Sequence, residues 1–254
     1  SKNNLHPSSE TSFHALINRK YVLHVHSTAT IANAISQSSG FDLRKYLDED
    51  FIFVPYCRPG FTLTMEIKKL ILPSTNILVL ENHGLIVAGD DIEDTYKLLL
   101  KIHEKLDLIR NEKLGLDYPE KITNIGGYIH KNTDKYKLFS TQNEKLFSLF
   151  SKSFYPDHVI FLGPGIPTFS EEKEANEFIQ NLKRKNINLP PYLILKNKGL
   201  FENTLAIPAA KEMIDCFLEV LLRIDLSKSL KFLSNHQESE LLNWDIEIYR
   251  QSIN

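Results

Sequence analysis

The chain has 254 residues, 42% of them hydrophobic, enough to bury the core of one large or two small globular domains. Its 30 basic and 32 acidic side chains leave a formal net charge of −2, so no basic excess marks a nucleic-acid binder, and Lys183-Arg184-Lys185 reads as a solvated helix end. No apolar run approaches the roughly 18–20 residues of a bilayer span, no signal-like segment opens the chain, and Cys57 and Cys216 make no disulfide framework. A cytoplasmic protein with reduced thiols is expected. The chain opens on Ser1 with a rich motif within ten residues, so a further N-terminal segment is expected ahead of it.

Taken in chain order, Ser8 and Ser9 precede Glu10 and an apolar pattern at Phe13, Leu16 and Ile17, which predicts an N-capped helix with Glu10 and His14 on one face. Residues 20–26 alternate as a strand, Tyr21, Leu23 and Val25 facing one way and Val22, His24 and His26 the other. Ser27 or Thr28 is expected to cap a helix through Ile35. Residues 43–47 read as helix, 51–55 as a buried strand, Cys57-Arg58-Pro59-Gly60 as a turn, and Thr64 as the cap of a helix over 65–71. Residues 77–80 and 85–87 are apolar strand segments interrupted by Asn82-His83-Gly84, and Asp90 or Asp91 caps a long amphipathic helix.

Residues 111–137 are polar and contain Gly126-Gly127, as a boundary or long connection would. Domains are therefore placed at 1–112 and 113–254. The second half is expected to run as a helix near 146–150, a strand over 158–162, the turn Gly163-Pro164-Gly165, and a helix capped by Thr168 with Glu171, or by Ser170. A strand over 192–195, a helix over 208–224 and an amphipathic tail helix over 238–249 complete it. Residues 77–85 read ILVLENHGL and residues 192–200 read YLILKNKGL, 115 positions on, each before a long helix. The second half is thus a degenerate repeat with Lys198 in the place of His83, or two strand–helix units that look alike by chance.

The residues permit metal chemistry. His24 and His26 share a strand face about 6–7 Å apart at Cα, near enough for both rings to reach one ion. His83 comes from a second strand region, and Gly84 after it lets backbone approach closely. With Glu10, three imidazoles and a carboxylate suit Zn²⁺ or another divalent ion. Glu10 either ligates the ion or moves a proton when substrate displaces it. His14 either supports Glu10 or packs in the helix. Ser8 and Ser9 either cap the helix or hold an anion at its N-terminus. Tyr56 and Arg58 either contact substrate or form a surface turn. Such an ion can polarise a carbonyl and a neighbouring hydroxyl for aldol cleavage, or activate water for hydrolysis, and spacing alone does not separate the two.

Pro7-Ser8-Ser9-Glu10 with His14, then Val22-Leu23-His24-Val25-His26, then Leu80-Glu81-Asn82-His83-Gly84-Leu85 with Gly89-Asp90, resemble the class II aldolase/adducin family in order and spacing. The likeness is strong over residues 7–110. Glu10-Thr11 with His14-Ala15-Leu16, Val54-Pro55-Tyr56, Arg58-Pro59-Gly60-Phe61, Pro156-Asp157-His158-Val159 and Glu247-Ile248-Tyr249-Arg250 look most like the aldolase portion of bifunctional rhamnulose-1-phosphate aldolase/alcohol dehydrogenases. Gly163-Pro164-Gly165 lacks the setting of a dinucleotide-binding loop.

The resemblance implies an α/β protein, an α/β/α layered fold around a mainly antiparallel central sheet. It implies His24, His26 and His83 as Zn²⁺ ligands, Glu10 as resting ligand and catalytic acid/base, and Ser8 and Ser9 at a substrate phosphate. It also implies homotetramers with active sites at subunit interfaces, and a lyase cleaving a ketose, expected as its 1-phosphate, into a dihydroxyacetone unit and an aldehyde. Sugar-phosphate 4-epimerase or decarboxylase chemistry on the same ligands, and a non-catalytic adducin-like binding module, are the other readings.

Overall fold

The computed structural model describes residues 8–35, 43–107, 115 and 124–244. The chain divides into two compact units: Ser1–Ile109 with Phe154–Pro156 and Ser227–Ile253, and Arg110–Ser153 with Asp157–Leu226.

The first unit is built on a four-stranded sheet of β1 (Tyr21–Val25), β2 (Ile52–Val54), β3 (Ile77–Leu80) and β4 (Gly84–Gly89), in the order β1-β4-β3-β2. The β1–β4 and β3–β4 contacts are antiparallel and β2–β3 is parallel, so the sheet is mixed. All four residues of β3 are buried, because both faces are covered and an apolar run satisfies both. On one face, Ile77, Val79, Leu85 and Val87 pack with α2 (Thr28–Ala34) and α4 (Ile92–Leu106). On the other, Leu78, Leu80, Ile86 and Ala88 pack with Phe13 and Ile17, from α1 (Thr11–Leu16) and its C-cap, and with Leu63 and Ile67 of α3 (Phe61–Leu70). This is the expected α/β/α layering. Phe13, fully buried, contributes about 2–3 kcal/mol.

Two caps differ from expectation. The N-cap of α1 is Glu10 in a helical conformation, with no side-chain cap; Ser8 Oγ instead accepts from Glu10 N at 3.2 Å, closing a local turn one step earlier. Helix α3 starts at Phe61, behind Gly60, so Thr64 lies inside it and bonds Gly60 O and Ser12 Oγ. Gly60 (φ 88) supplies a backbone turn that a side-chain cap does not. Ser27 and Asp91 cap α2 and α4 as expected. Residues 43–47 close one helical turn through Leu47 N to Leu43 O at 2.9 Å.

In the second unit, β5 (Tyr128–His130), β6 (Thr168–Phe169), β7 (Tyr192–Leu195) and β8 (Gly199–Asn203) form a sheet of order β5-β8-β7-β6. The helices are α5 (Glu144–Leu149), α6 (Pro156–Leu162), α7 (Glu172–Arg184) and α8 (Pro208–Arg223). Three expectations fail here. The stretch expected as a polar connection contains β5 and a 3₁₀ turn over Asp134–Ser140, too short for periodicity to show. Residues 156–162 are helix, not strand: a short apolar run fits either, and Pro156 opens the helix where its missing N–H is harmless. Thr168 pairs with Ile194 as strand, and α7 is capped neither by Thr168 nor by Ser170 but by Glu171, in a capping box with Glu174. The tail helix α9 (Asn235–Leu242), which belongs to the first unit, starts earlier than expected, behind a Ser234–Gln237 box, and its expected end lies outside the described residues, as do residues 247–250.

Candidate metal centre

The sheet register decides where the imidazoles go. His24 pairs with Ile86, whose side chain lies on the α1/α3 face. The His24 ring therefore turns toward α1, edge-on to Phe13 at 5.3 Å between centroids. His26 leaves β1 one residue past its end and keeps the same face. His83 sits in the turn joining β3 to β4, where Asn82 takes a positive φ of 53°. A side chain at Gly84 would collide with the Val25 carbonyl and stand 3.2 Å from His26 Cα. Only glycine lets the His83 turn close on the end of β1, and that closure brings the three rings together.

The ring centroids of His24, His26 and His83 stand 4.9–5.1 Å apart. Glu10 Oε1 lies 3.1, 3.7 and 3.5 Å from Nε2 of His24, His26 and His83. The four donor atoms all fall within 4.8 Å of one another. Four donors on zinc bonds of 2.0–2.1 Å stand roughly 3.4 Å from each other. The carboxylate-to-imidazole distances bracket that value.

The donor set fits a cation. His24 Nδ1 lies 3.0 Å from Leu85 O, a carbonyl that can only accept, so Nδ1 donates there and Nε2 is the ring atom turned to Glu10. That Nε2 is buried and has no hydrogen-bond partner, although Glu10 Oε1 is near. A buried ring nitrogen without a partner facing a carboxylate oxygen is an arrangement that a shared cation resolves. Burial pushes His83 down to about 4, with its neighbours His26 and His24 adding to the effect, so its ring is neutral at pH 7. Burial acts to raise the Glu10 carboxyl, but its contacts with the three imidazoles outweigh that and hold it well below the usual carboxylate range. A carboxylate among three imidazole nitrogens suits a divalent ion.

The other expected site residues are not among the four donors. His14 stacks on the Phe13 ring at 4.7 Å, and burial lowers its pKa. Ser8 and Ser9 lead directly into Glu10, with Ser8 exposed. The Tyr56 phenol is pushed up by burial, and Tyr56 N donates to Glu81 Oε2 at 3.0 Å. The Arg58 guanidinium lies over the Trp244 ring at 5.3 Å. Glu81 and Asn82 enter the sequence reading only as neighbours of His83, and Lys231 not at all, yet the three fasten the His83 turn. Asn82 beside a glycine is a signal for a left-handed turn; Lys231 has no local signal.

Residues 1–108 match the family model for the class II aldolase and adducin N-terminal domain. The N-terminal part of this chain is a domain of that family. An oxidoreductase of Bacillus subtilis, YuxG, whose function is uncharacterised, is 30% identical over 111 residues, 43% of this chain. The aligned stretch spans 16% of YuxG. The solved N-terminal class II aldolase domain of a conserved protein from Thermoplasma acidophilum is 28% identical, covering 42% of this chain and 49% of that one, with a TM-score of 0.39. Among the described residues no helix is long and apolar enough to cross a membrane.

Proposed function

We propose that this class II aldolase domain makes the protein a divalent-metal aldehyde-lyase. It cleaves a ketose 1-phosphate into a dihydroxyacetone unit and an aldehyde, in the manner of the rhamnulose-1-phosphate aldolases. His24, His26 and His83 would each give Nε2, and Glu10 a carboxylate oxygen, to Zn²⁺ or another divalent ion. An ion held there would polarise the ketose carbonyl and stabilise the negative charge that carbon–carbon cleavage leaves. Glu10 moves the proton. It takes it from the hydroxyl of the carbon that becomes the aldehyde, the carbon–carbon bond breaks with its electron pair on the dihydroxyacetone half, and the proton is delivered to the carbon of that half which carried the broken bond. The observation that carries this reading is that one Glu10 carboxylate oxygen stands 3.1, 3.7 and 3.5 Å from Nε2 of His24, His26 and His83, the His24 atom buried and without a hydrogen-bond partner. Ser8 and Ser9 immediately precede Glu10, where they would meet the substrate phosphate.

Metal analysis of the purified protein, followed by retro-aldol assays on ketose 1-phosphates with and without chelator, tests the proposal. One ion per chain with chelator-sensitive cleavage is expected. One ion without cleavage would move the reading to the epimerase or decarboxylase chemistry of the same fold, and no ion would sink it. Light scattering tests for the homotetramer that the family resemblance implies. We also take the second unit to be a degenerate copy of the first, supported by the identical order and pairing of their strands. Binding of a second ion by the native chain would count against it.

A further inference from the structure

We infer that the C-terminal return of the chain, residues 227–244, is a positioning element for the metal centre, with Lys231 and Trp244 as its anchors; this rests on the divalent-metal reading above. The segment belongs to the first unit although it is more than a hundred residues beyond the family domain, which ends at 108.

The first anchor holds the turn that presents His83. Both residues before His83 hand their side chains to Lys231. Glu81, only 6% exposed, receives Lys231 Nζ on Oε1 at 2.6 Å and the Tyr56 amide on Oε2 at 3.0 Å. Asn82 Nδ2 donates to Lys231 O at 3.1 Å and to Phe154 O at 2.8 Å. Lys231 N in turn donates to Ile35 O at 2.6 Å, and Phe232 stacks on Phe154 at 5.4 Å. Residue 231 is therefore pinned through its amide, its carbonyl and its ammonium, and two of those three bonds end on the dipeptide beside His83. A buried carboxylate stripped of its cation relaxes toward water. Here that relaxation has to move the backbone that aims the His83 ring.

The second anchor backs the carboxylate. A side chain at Gly60 would meet the Trp244 ring at 2.9 Å and lie 3.7 Å from Ser9 O, so Gly60 stands close to both the indole and the backbone that leads into Glu10. Arg58 lies over the same indole. One return segment thus supports ligands from the two ends of the centre, His83 and Glu10. Outer residues that orient ligands typically set metal affinity within ten- to hundredfold.

The test is zinc affinity by chelator competition, with the visible spectrum of the Co²⁺ form, on the full chain and its variants. Thermal unfolding of the metal-free proteins is followed in parallel. Lys231→Met is expected to weaken Zn²⁺ binding roughly ten- to hundredfold and to change the Co²⁺ spectrum, with Lys231→Arg restoring both. Asn82→Gly keeps the positive φ at no steric cost and removes both tethers; it is expected to weaken binding by about tenfold. It decides the question if Lys231→Met does not fold. Wild-type affinity and spectrum in the folded variants would overturn the inference while leaving the metal reading intact. A wild-type chain that binds no metal would overturn both.

Discussion

The two sheets of this protein differ in what they hold and agree in how they are made. Each orders its strands first-fourth-third-second, with two antiparallel contacts and one parallel. Each turns between its third and fourth strands through an asparagine of positive φ, Asn82 at 53° and Asn197 at 62°, with a glycine two residues on. His24 pairs with Ile86 and His130 with Phe201, in each case two residues past that glycine. Where the first turn carries His83, the second carries Lys198, and two residues beyond His130 comes Asn132 rather than histidine. The strand order and the left-handed turn therefore need no imidazole cluster. The second sheet satisfies them with Lys198, whose Nζ lies 2.6 Å from Glu172 Oε1, while His130 Nε2 donates to Lys198 O at 2.8 Å. The three histidines of the first sheet answer a demand other than folding.

Removing one of them should therefore separate function from fold most sharply. His83→Ala should lose the ion and with it several kcal/mol of charge stabilisation, roughly a thousandfold in retro-aldol rate. Circular dichroism should show the fold intact, and metal content by mass spectrometry gives the check. Retention of both the ion and the rate would show that the cluster is not the site.

The asparagines allow a paired test. Alanine at a positive φ costs about 1–2 kcal/mol wherever it occurs. Asn197→Ala should cost about that much in urea unfolding. Asn82→Ala should cost about 1–2 kcal/mol more, because it also gives up the bonds to Phe154 O and Lys231 O. Equal costs would mean that the tethers contribute nothing.

This asymmetry marks how far the sequence could be read. Period-two alternation placed His24 and His26 on one face, and the glycine after His83 signalled the close turn, so the four donors were visible before any coordinates. The short apolar run at 158–162 was not decidable, since burial on all sides erases the difference between strand and helix, and Pro156 was the overlooked cue. Thr168 looked like a cap because a threonine three residues before a glutamate fits a capping box, but Glu171 and Glu174 fit one too, and pairing with Ile194 claimed Thr168 for the sheet. Lys231 meets Glu81 across 150 residues, and no local pattern encodes a contact that only the folded chain creates.

Acid should probe the second unit. His158 is fully buried, and that burial pushes it down to about 3. The folded chain then stays neutral at this ring while the unfolded chain takes up a proton below about 6.5. Stability is full above that pH and falls as the pH drops toward 3, by up to about 1.4 kcal/mol per unit. Urea unfolding at pH 7 and pH 5 should show about 2 kcal/mol lost on this account. His158→Met should remove that share of the loss; an unchanged pH dependence would mean that other groups carry it.

The smallest expected effect falls on the residue that most distinguishes the two turns. Lys198 and Glu172 are each a little over a third exposed, so water screens their pair, and Lys198→Met should cost less than about 1 kcal/mol. It should leave the zinc stoichiometry unchanged. The contrast with Lys231 is informative, because both are lysines bonded to a glutamate at 2.6 Å. Glu172 faces solvent and should tolerate losing its cation, whereas Glu81 is buried two residues before His83 and should not. If Lys198→Met weakened metal binding as strongly as Lys231→Met, burial of the carboxylate would not be what gives a lysine its hold on the centre, and the two turns would have to be coupled.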